Sequence, residues 1–267
     1  MSAIEKLMAM QGRAALITGA AGGLGTVFSR TLAEMGADLL LVDRAESGLV
    51  EMAARLAANH GVKARALVFD LEQEAERGRL MGQVRAAVPA LYVLINNAAF
   101  VGTSDLQGWG VPFEQQTVET WRRALEVNLT AAFDLCKGLA PHLRKAPGAS
   151  IINIGSIYGE LGPRWDLYEG TTMSNPAAYG ASKAGLGQLT RWLATTLAPD
   201  VRVNMIAPGG VFRGQPEAFV RRYEDATPLQ RMASEEDFAG IIAYLASDMS
   251  RYVTGQTILV DGGWSVW

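Results

Sequence analysis

Tyr179 and Lys183 stand four residues apart in the helix-like segment Ala177–Leu197. Helical positions i and i+4 share a face, so an ammonium can lie beside a phenol. A free phenol titrates near pH 10 and is a weak base at neutrality. A neighbouring cation favours the phenolate, and a three-unit depression takes roughly 4 kcal/mol of differential interaction. Tyr179 is therefore a candidate proton donor and acceptor. Taken alone, the pair also fits an ordinary amphipathic helix face.

A glycine-rich turn suggests what such a phenol works beside. Thr18, Gly19, Gly22, Gly23, Leu24 and Gly25 follow the apolar run Ala14–Ile17 and open the helix-like segment Leu24–Met35. Glycines permit a tight bend and close backbone approach to a pyrophosphate, and a helix N-terminus offers free N–H groups and a positive dipole end. The spacing departs from Gly-x-Gly-x-x-Gly, so a turn with only a packing role is the plain alternative. Asp43 ends the next apolar run, where a carboxylate accepts ribose hydroxyls and repels a 2′-phosphate. Like charges about 4 Å apart cost on the order of 4 kcal/mol at an effective dielectric of about 20. NAD is therefore expected over NADP. Arg44 weighs the other way, and Asp43 could also cap a helix beginning near Ala45.

The elements that must position these groups alternate along the chain. Strand-like runs fall at Ala14–Ile17, Leu39–Val42, Ala64–Phe69, Leu91–Ile95, Ser150–Ile154, Val201–Ile206 and Thr257–Val260. Helix-like segments fall at Leu24–Met35, Glu46–Asn59, Glu72–Val88, Val118–Arg144, Ala177–Leu197 and Glu235–Ala246. Mostly continuous apolar strands imply burial on both faces. The expectation is an α/β fold: a Rossmann-like, doubly wound, seven-stranded parallel sheet with helices on both faces, residues 1–267 forming one domain. Segments 100–113, 158–175 and 209–228 break the alternation and are expected to be loops over a pocket.

Bulk properties narrow the partners. The chain has 267 residues, is 49% hydrophobic and carries a formal charge of -3. No basic field recommends nucleic acid or an anionic membrane as a partner. Cys136 is the single cysteine, so no intrachain disulfide framework is possible and a reducing, cytoplasmic setting is expected. Cys136 reads as a small buried helix residue. No apolar run reaches membrane-spanning length, and the N-terminus lacks a signal-peptide core. His60 and His142 lack metal-ligand spacing and are expected at helix surfaces; no metal is expected.

The set as a whole resembles the short-chain dehydrogenase/reductase family in its single-domain branch. The resemblance covers essentially the whole chain. It rests on the Thr18–Gly25 turn, Asp70, the run Asn96 to Ala99, Asn128, Ser156, Tyr179 with Lys183, Pro208 with Gly209, and Val260 to Gly263. It implies catalytic roles for Asn128, Ser156, Tyr179 and Lys183. Ser156 would bind the substrate oxygen, and Tyr179 would move the proton. Lys183 would hold the nicotinamide ribose and lower the Tyr179 pKa, and Asn128 would hold a water. The Gly19–Gly25 turn, Asp43, Arg44, Asp70, Leu71, Asn97, Ala98, Ala99, Pro208, Gly209 and Val211 would bind the dinucleotide, with Tyr179 and Lys183 beside it.

The implied activity is hydride transfer between NAD(H) and a small polar alcohol or ketone, such as a sugar, polyol or sugar acid. An NADP-dependent 3-oxoacyl reductase and a non-catalytic NAD-binding regulator are the alternatives. Family members imply a homotetramer built through 118–144, 177–197 and the C-terminal segment with Trp264 and Trp267; packing on the same chain is the alternative for the tryptophans. Three departures stand out. Ala99 replaces a more familiar glycine. Arg213 lies near the place of a nicotinamide-binding threonine. Residues 160–175 lengthen the interval between Ser156 and Tyr179, and are read as a substrate lid or subunit contact. Tyr158, Arg164 and Arg213 are therefore candidate substrate contacts. Arg213 suggests an anionic substrate group, with a salt bridge to Glu217 or Glu169 as the plain alternative.

Overall fold

A computed structural model describes residues 2–44, 48–101 and 106–267. The sheet begins with five apolar or small residues buried on both faces, β1 (Ala14–Thr18). A short helix, α1 (Ala3–Met8), precedes it behind a Ser2–Glu5 capping box. Then follow α2 (Gly23–Glu34), β2 (Asp38–Asp43), α3 (Leu49–His60), β3 (Ala64–Val68), α4 (Glu74–Ala87) and β4 (Val93–Asn96). The second half runs α5 (Val118–Leu125), α6 (Ala131–Leu143), β5 (Ala149–Ile154), α7 (Ala177–Leu197), β6 (Val201–Pro208), α8 (Glu217–Asp225), α9 (Ala239–Ala246) and β7 (Thr257–Val260).

The strands form one parallel sheet in the order β3-β2-β1-β4-β5-β6-β7. One apolar layer, with Leu80, Leu135, Leu139 and Leu193, packs α4, α6 and α7 on one face. A second, with Phe28, Leu32, Met52 and Ile242, packs α2, α3 and α9 on the other. The fold is thus the doubly wound sheet expected from the apolar runs. Strand order reverses at β1, which lies between β2 and β4. The ends of β1 and β4 therefore open a crevice at the sheet's carboxyl edge, the general ligand position in such folds.

Several local expectations are corrected. The helix expected over 118–144 is interrupted by a π-helical turn, Glu126–Thr130, which joins α5 to α6. Segment 209–228 is not all loop, since it contains α8. The expected helix from Glu46 begins at Leu49 behind Gly48, and residues 45–47 lie outside the described residues. Asp43 therefore does not cap it. Part of the expected 100–113 loop, 102–105, also lies outside the described residues. His142 is buried rather than at the surface, its Nε2 2.8 Å from the Val88 carbonyl, because the last turn of α6 packs on the chain leaving α4.

Candidate active site

The end of β1 is knitted to the end of β4 by one hydroxyl. Thr18 Oγ1 donates to the Ile95 carbonyl (3.2 Å) and accepts from the backbone N–H groups of Asn97 and Ala98 (both 3.0 Å). Asn97 Nδ2 returns bonds to the carbonyls of Thr18 (3.0 Å) and Gly19 (2.9 Å). Gly19 has φ +61°, and a Cβ there would lie 2.8 Å from Ala98 Cα. Only glycine fits that crossing. Ala99 lies outside the left-handed region, so its side chain is tolerated.

The turn leads into α2 through Gly22, which supplies no side-chain cap, so the first N–H groups of the helix are left for another partner. Gly25 is a packing glycine. It does not line the cleft, because a Cβ there would collide with the Gly19 carbonyl and the Ala20 backbone.

A cleft of about 580 Å³ opens above these strand ends. The glycine turn contributes Gly19, Gly22, Gly23 and Leu24. Asp43 and Arg44 stand beside it, followed by Asp70 and Leu71, then Asn97, Ala98 and Ala99. Ser156, Tyr179 and Lys183 form the far wall with Pro208, Gly209, Val211 and Arg213. Asp43 accepts from the Ala21 N–H (2.9 Å) and the Arg44 N–H (2.8 Å), which fixes its carboxylate against the turn. Asp70 accepts from the Glu72 N–H (2.9 Å) in a local turn ahead of α4, so it does not cap that helix.

The catalytic candidates that line the cleft come from two elements. Ser156 follows β5 and accepts from the Tyr158 N–H (3.2 Å). Tyr179 and Lys183 come from α7. Lys183 is buried and donates to the Ile154 carbonyl (2.8 Å), its Nζ 5.8 Å from the centre of the Tyr179 ring. Burial pushes the Lys183 ammonium down to about 8. Burial also holds the Tyr179 phenol above its ordinary value, opposed by a hydrogen bond with Ser156 and by the charge of Arg213. The expected depression of Tyr179 by Lys183 is thus corrected. The groups that pull the phenol down are Ser156 and Arg213, because the ammonium is turned to the end of β5.

Other expected residues lie elsewhere. Asn128 sits in the π turn, off the cleft lining, with its amide committed: Oδ1 accepts from the Phe100 N–H (2.6 Å) and Nδ2 donates to Ser182 Oγ (3.0 Å). Arg164 is exposed and pairs with Asp166 (2.7 Å), away from the cleft. Tyr158 bonds to the Tyr168 hydroxyl (2.7 Å) and lines a separate apolar groove of about 630 Å³ with Phe113, Leu161 and Trp165. Arg213 pairs with Glu235 (3.1 Å), neither of the partners expected. Cys136 is buried against Asn96, and burial pushes its thiol up to about 12, which leaves it inert. Trp264 packs on its own chain against Tyr223, while Trp267 is exposed with its indole N–H on the Ala226 carbonyl (2.9 Å).

Sequence reasoning missed Glu235, Gln215 and the pair Arg123–Glu72 (2.6 Å) beside the Asp70 end of the cleft. The partners of Glu235 and of the Arg123–Glu72 pair are remote in sequence, so no local pattern announces them, and Gln215 is held within its own loop by Arg213 and Val211. Among the described residues, no group of three His, Cys, Asp or Glu side chains is placed to hold a metal. Nor is any described helix long and apolar enough to cross a membrane.

The residues fit a dinucleotide. The turn forms a cradle that a side chain would fill: a Cβ on Gly23 would lie 2.6 Å from Glu235 Oε1 and 3.0 Å from Arg213 Nη2. The uncapped start of α2 points into that cradle.

Comparison with known proteins agrees with this geometry. A family model described as "Enoyl-(Acyl carrier protein) reductase" matches residues 19–265. Cis-4-hydroxycyclohexanecarboxylate dehydrogenase of Sinomonas cyclohexanicum is 33% identical over 95% of this chain and 96% of its own. A probable galactose dehydrogenase of Rhizobium meliloti (strain 1021) is 31% identical over 95% of each chain. The crystal structure of a gluconate 5-dehydrogenase from Burkholderia cenocepacia J2315, in complex with NADP and tartrate, superposes with a TM-score of 0.85 at 29% identity, covering 99% of both chains. The family model runs from the glycine turn past β7 and takes in both walls of the cleft, and the chain belongs to the short-chain dehydrogenase/reductase family of oxidoreductases that act on alcohol groups.

Proposed function

We propose that this protein transfers hydride between NAD(H) and a polar secondary alcohol or ketone, in the class of hydroxy acids, sugars and sugar acids. The observation that carries the reading is the convergence of Ser156, Tyr179 and Lys183 on a cleft whose opposite wall is the glycine turn. The bound dinucleotide supplies or accepts the hydride. Gly23 and Leu24 offer backbone N–H groups to its phosphates while the Gly22 N–H closes the turn on the Gly19 carbonyl (3.2 Å), and Asp70 and Leu71 stand at its adenine. Ser156 donates to the substrate oxygen. Tyr179 gives that oxygen its proton in reduction and takes it in oxidation. Lys183 donates to the ribose hydroxyls from its place beside Ile154, and Asn128 holds α7 in position through Ser182.

Asp43 favours NAD, since its carboxylate retains lone pairs for the ribose hydroxyls beyond the two backbone bonds it accepts. Arg44 beside it supports the NADP reading, as does the NADP held by the Burkholderia relative. Exposed Trp121 on α5 and Trp192 on α7 support a homotetramer built through those helices, and the lone buried thiol supports a cytoplasmic setting. The experiment is a screen of hydroxy acids, polyols, sugar acids and nucleotide sugars, run with NAD and NADP side by side and read by dinucleotide fluorescence. Turnover of at least one such alcohol with NAD preferred is expected. Binding of NADH with no turnover across the panel overturns the enzyme reading in favour of a dinucleotide-binding regulator.

A further inference from the structure

We propose that Arg213 is a ligand of the dinucleotide pyrophosphate, and that Glu235 is an internal anion it must leave to take up that role. The inference rests on the dinucleotide reading of the cleft and adds to it a competing partner within the chain.

Three observations carry it. First, the ion pair lies against the phosphate cradle. Arg213 Nε is 3.1 Å from Glu235 Oε1, and a Cβ on Gly23, the first residue of α2, would lie within 3.0 Å of both side chains. A carboxylate is thus set at the positive end of α2, where Gly22 provides no side-chain cap. That is the place a phosphate takes in such a turn.

Second, the pair is held from the backbone side while its heads are free to exchange. The Val211–Ala233 bridge and the Phe212 N–H to Ala233 carbonyl bond (2.8 Å) lock the two segments together. Gln215 Oε1 accepts from the Arg213 N–H (2.7 Å). The side chains themselves are 51% and 28% exposed and meet through a single Nε contact. An exposed pair of this kind is weak, whereas a guanidinium fork grips a phosphate through two parallel bonds. Exchange of the carboxylate for a phosphate therefore favours the phosphate.

Third, neighbouring carboxylates are assigned elsewhere. Glu236 pairs with Arg30, and Asp237 pairs with Arg231 (2.7 Å) while closing the capping box with Ser234. Glu235 takes no part in that cap, so removing its charge leaves the turn intact.

The test is the dissociation constant of NADH and of ADP-ribose, read by fluorescence and calorimetry on the full-length protein, with adenosine as the probe lacking phosphate. Arg213→Ala is expected to weaken NADH and ADP-ribose about tenfold, the scale of one charge-assisted hydrogen bond, and to leave adenosine unchanged. Glu235→Gln is expected to tighten both phosphate ligands about threefold to fivefold, the scale of one exposed ion pair. Glu236→Gln removes the same charge one residue away and is expected to change neither. In the Arg213→Ala background the Glu235→Gln gain is expected to shrink, because the two anions no longer compete for one guanidinium. Unchanged affinities in both single variants overturn the inference and leave the dinucleotide reading standing. An undiminished Glu235→Gln gain without Arg213 also overturns it, reducing Glu235 to simple repulsion. No binding of NADH or NADPH by the wild type overturns both.

Discussion

Replacing Lys183 by Met is expected to make the protein more stable and inactive at once. Lys183 is 2% exposed, and burial brings its ammonium from 10.5 down to about 8. Such a fall corresponds to on the order of 3 kcal/mol of native-state destabilisation at neutral pH, where both native and unfolded chains carry the charge. Methionine keeps the length of the stem and removes the charge. It also loses the bond to the Ile154 carbonyl, which returns about 1 kcal/mol. The net expectation is a gain of about 2 kcal/mol at pH 7, or roughly 5 °C in Tm.

The pH dependence gives the sharper signature. The native value lies below the unfolded one, so between pH 8 and 10.5 the unfolded chain holds a proton that the native chain has released. Wild-type stability therefore rises with pH across that window as the penalty is relieved. The advantage of the variant should shrink from pH 8 upward and be gone by about pH 10. Urea denaturation of both proteins at pH 7 and pH 10, without added dinucleotide, measures it; subtracting the wild type cancels groups common to both. A variant less stable than wild type at pH 7, or a difference that does not change with pH, refutes the claim that this ammonium is held at a cost.

Three further outcomes follow from the same geometry. Tyr179→Phe should reduce turnover by about 10²- to 10⁴-fold, the usual weight of a general acid or base, with the NADH dissociation constant nearly unchanged in a fluorescence titration. Gly25→Ala should destabilise the fold by about 1–3 kcal/mol in urea, because its Cβ meets the Gly19 carbonyl and an Ala20 Cα only 2.8 Å away. Asp43→Ala should shift the NAD-to-NADP ratio of kcat/KM toward NADP by about tenfold or more, since the repulsion removed is on the order of several kcal/mol before solvent screening.

The sheet was legible because its strands are covered on both faces and so read as unbroken apolar runs. Thr257–Val260 and Ala177–Leu197 fall where the sequence places them, and the other strand edges shift by one or two residues. The break between α5 and α6 was not legible, because neither glycine nor proline marks it. The π turn at Glu126–Thr130 forms around tertiary bonds, chiefly those of Asn128 to Phe100 and Ser182. His142 misled in the opposite way: a polar residue in an amphipathic pattern reads as surface until the Val88 carbonyl is seen to meet it. The cleft residues were legible as a set because the glycines, Asp43, Asp70, Ser156 and Pro208 fall where strands end, and Tyr179 with Lys183 shares one face of the first turns of α7. Arg164 was not, since a charged residue in a long insertion gives no sign of which way it faces.

The same contrast governs the charge at the site. Helical spacing puts Lys183 near Tyr179, but spacing alone does not say where an ammonium points, and here it points to the end of β5. The cation that acts on the phenol comes from the segment after β6, through Arg213, while Ser156 supplies the hydrogen bond. Arg213 is in turn partly neutralised by Glu235. One guanidinium thus lies within electrostatic reach of both the proton-transfer group and the phosphate cradle. The helix supplies Tyr179 with its position, and burial holds its phenol above the ordinary value against the pull of Ser156 and Arg213.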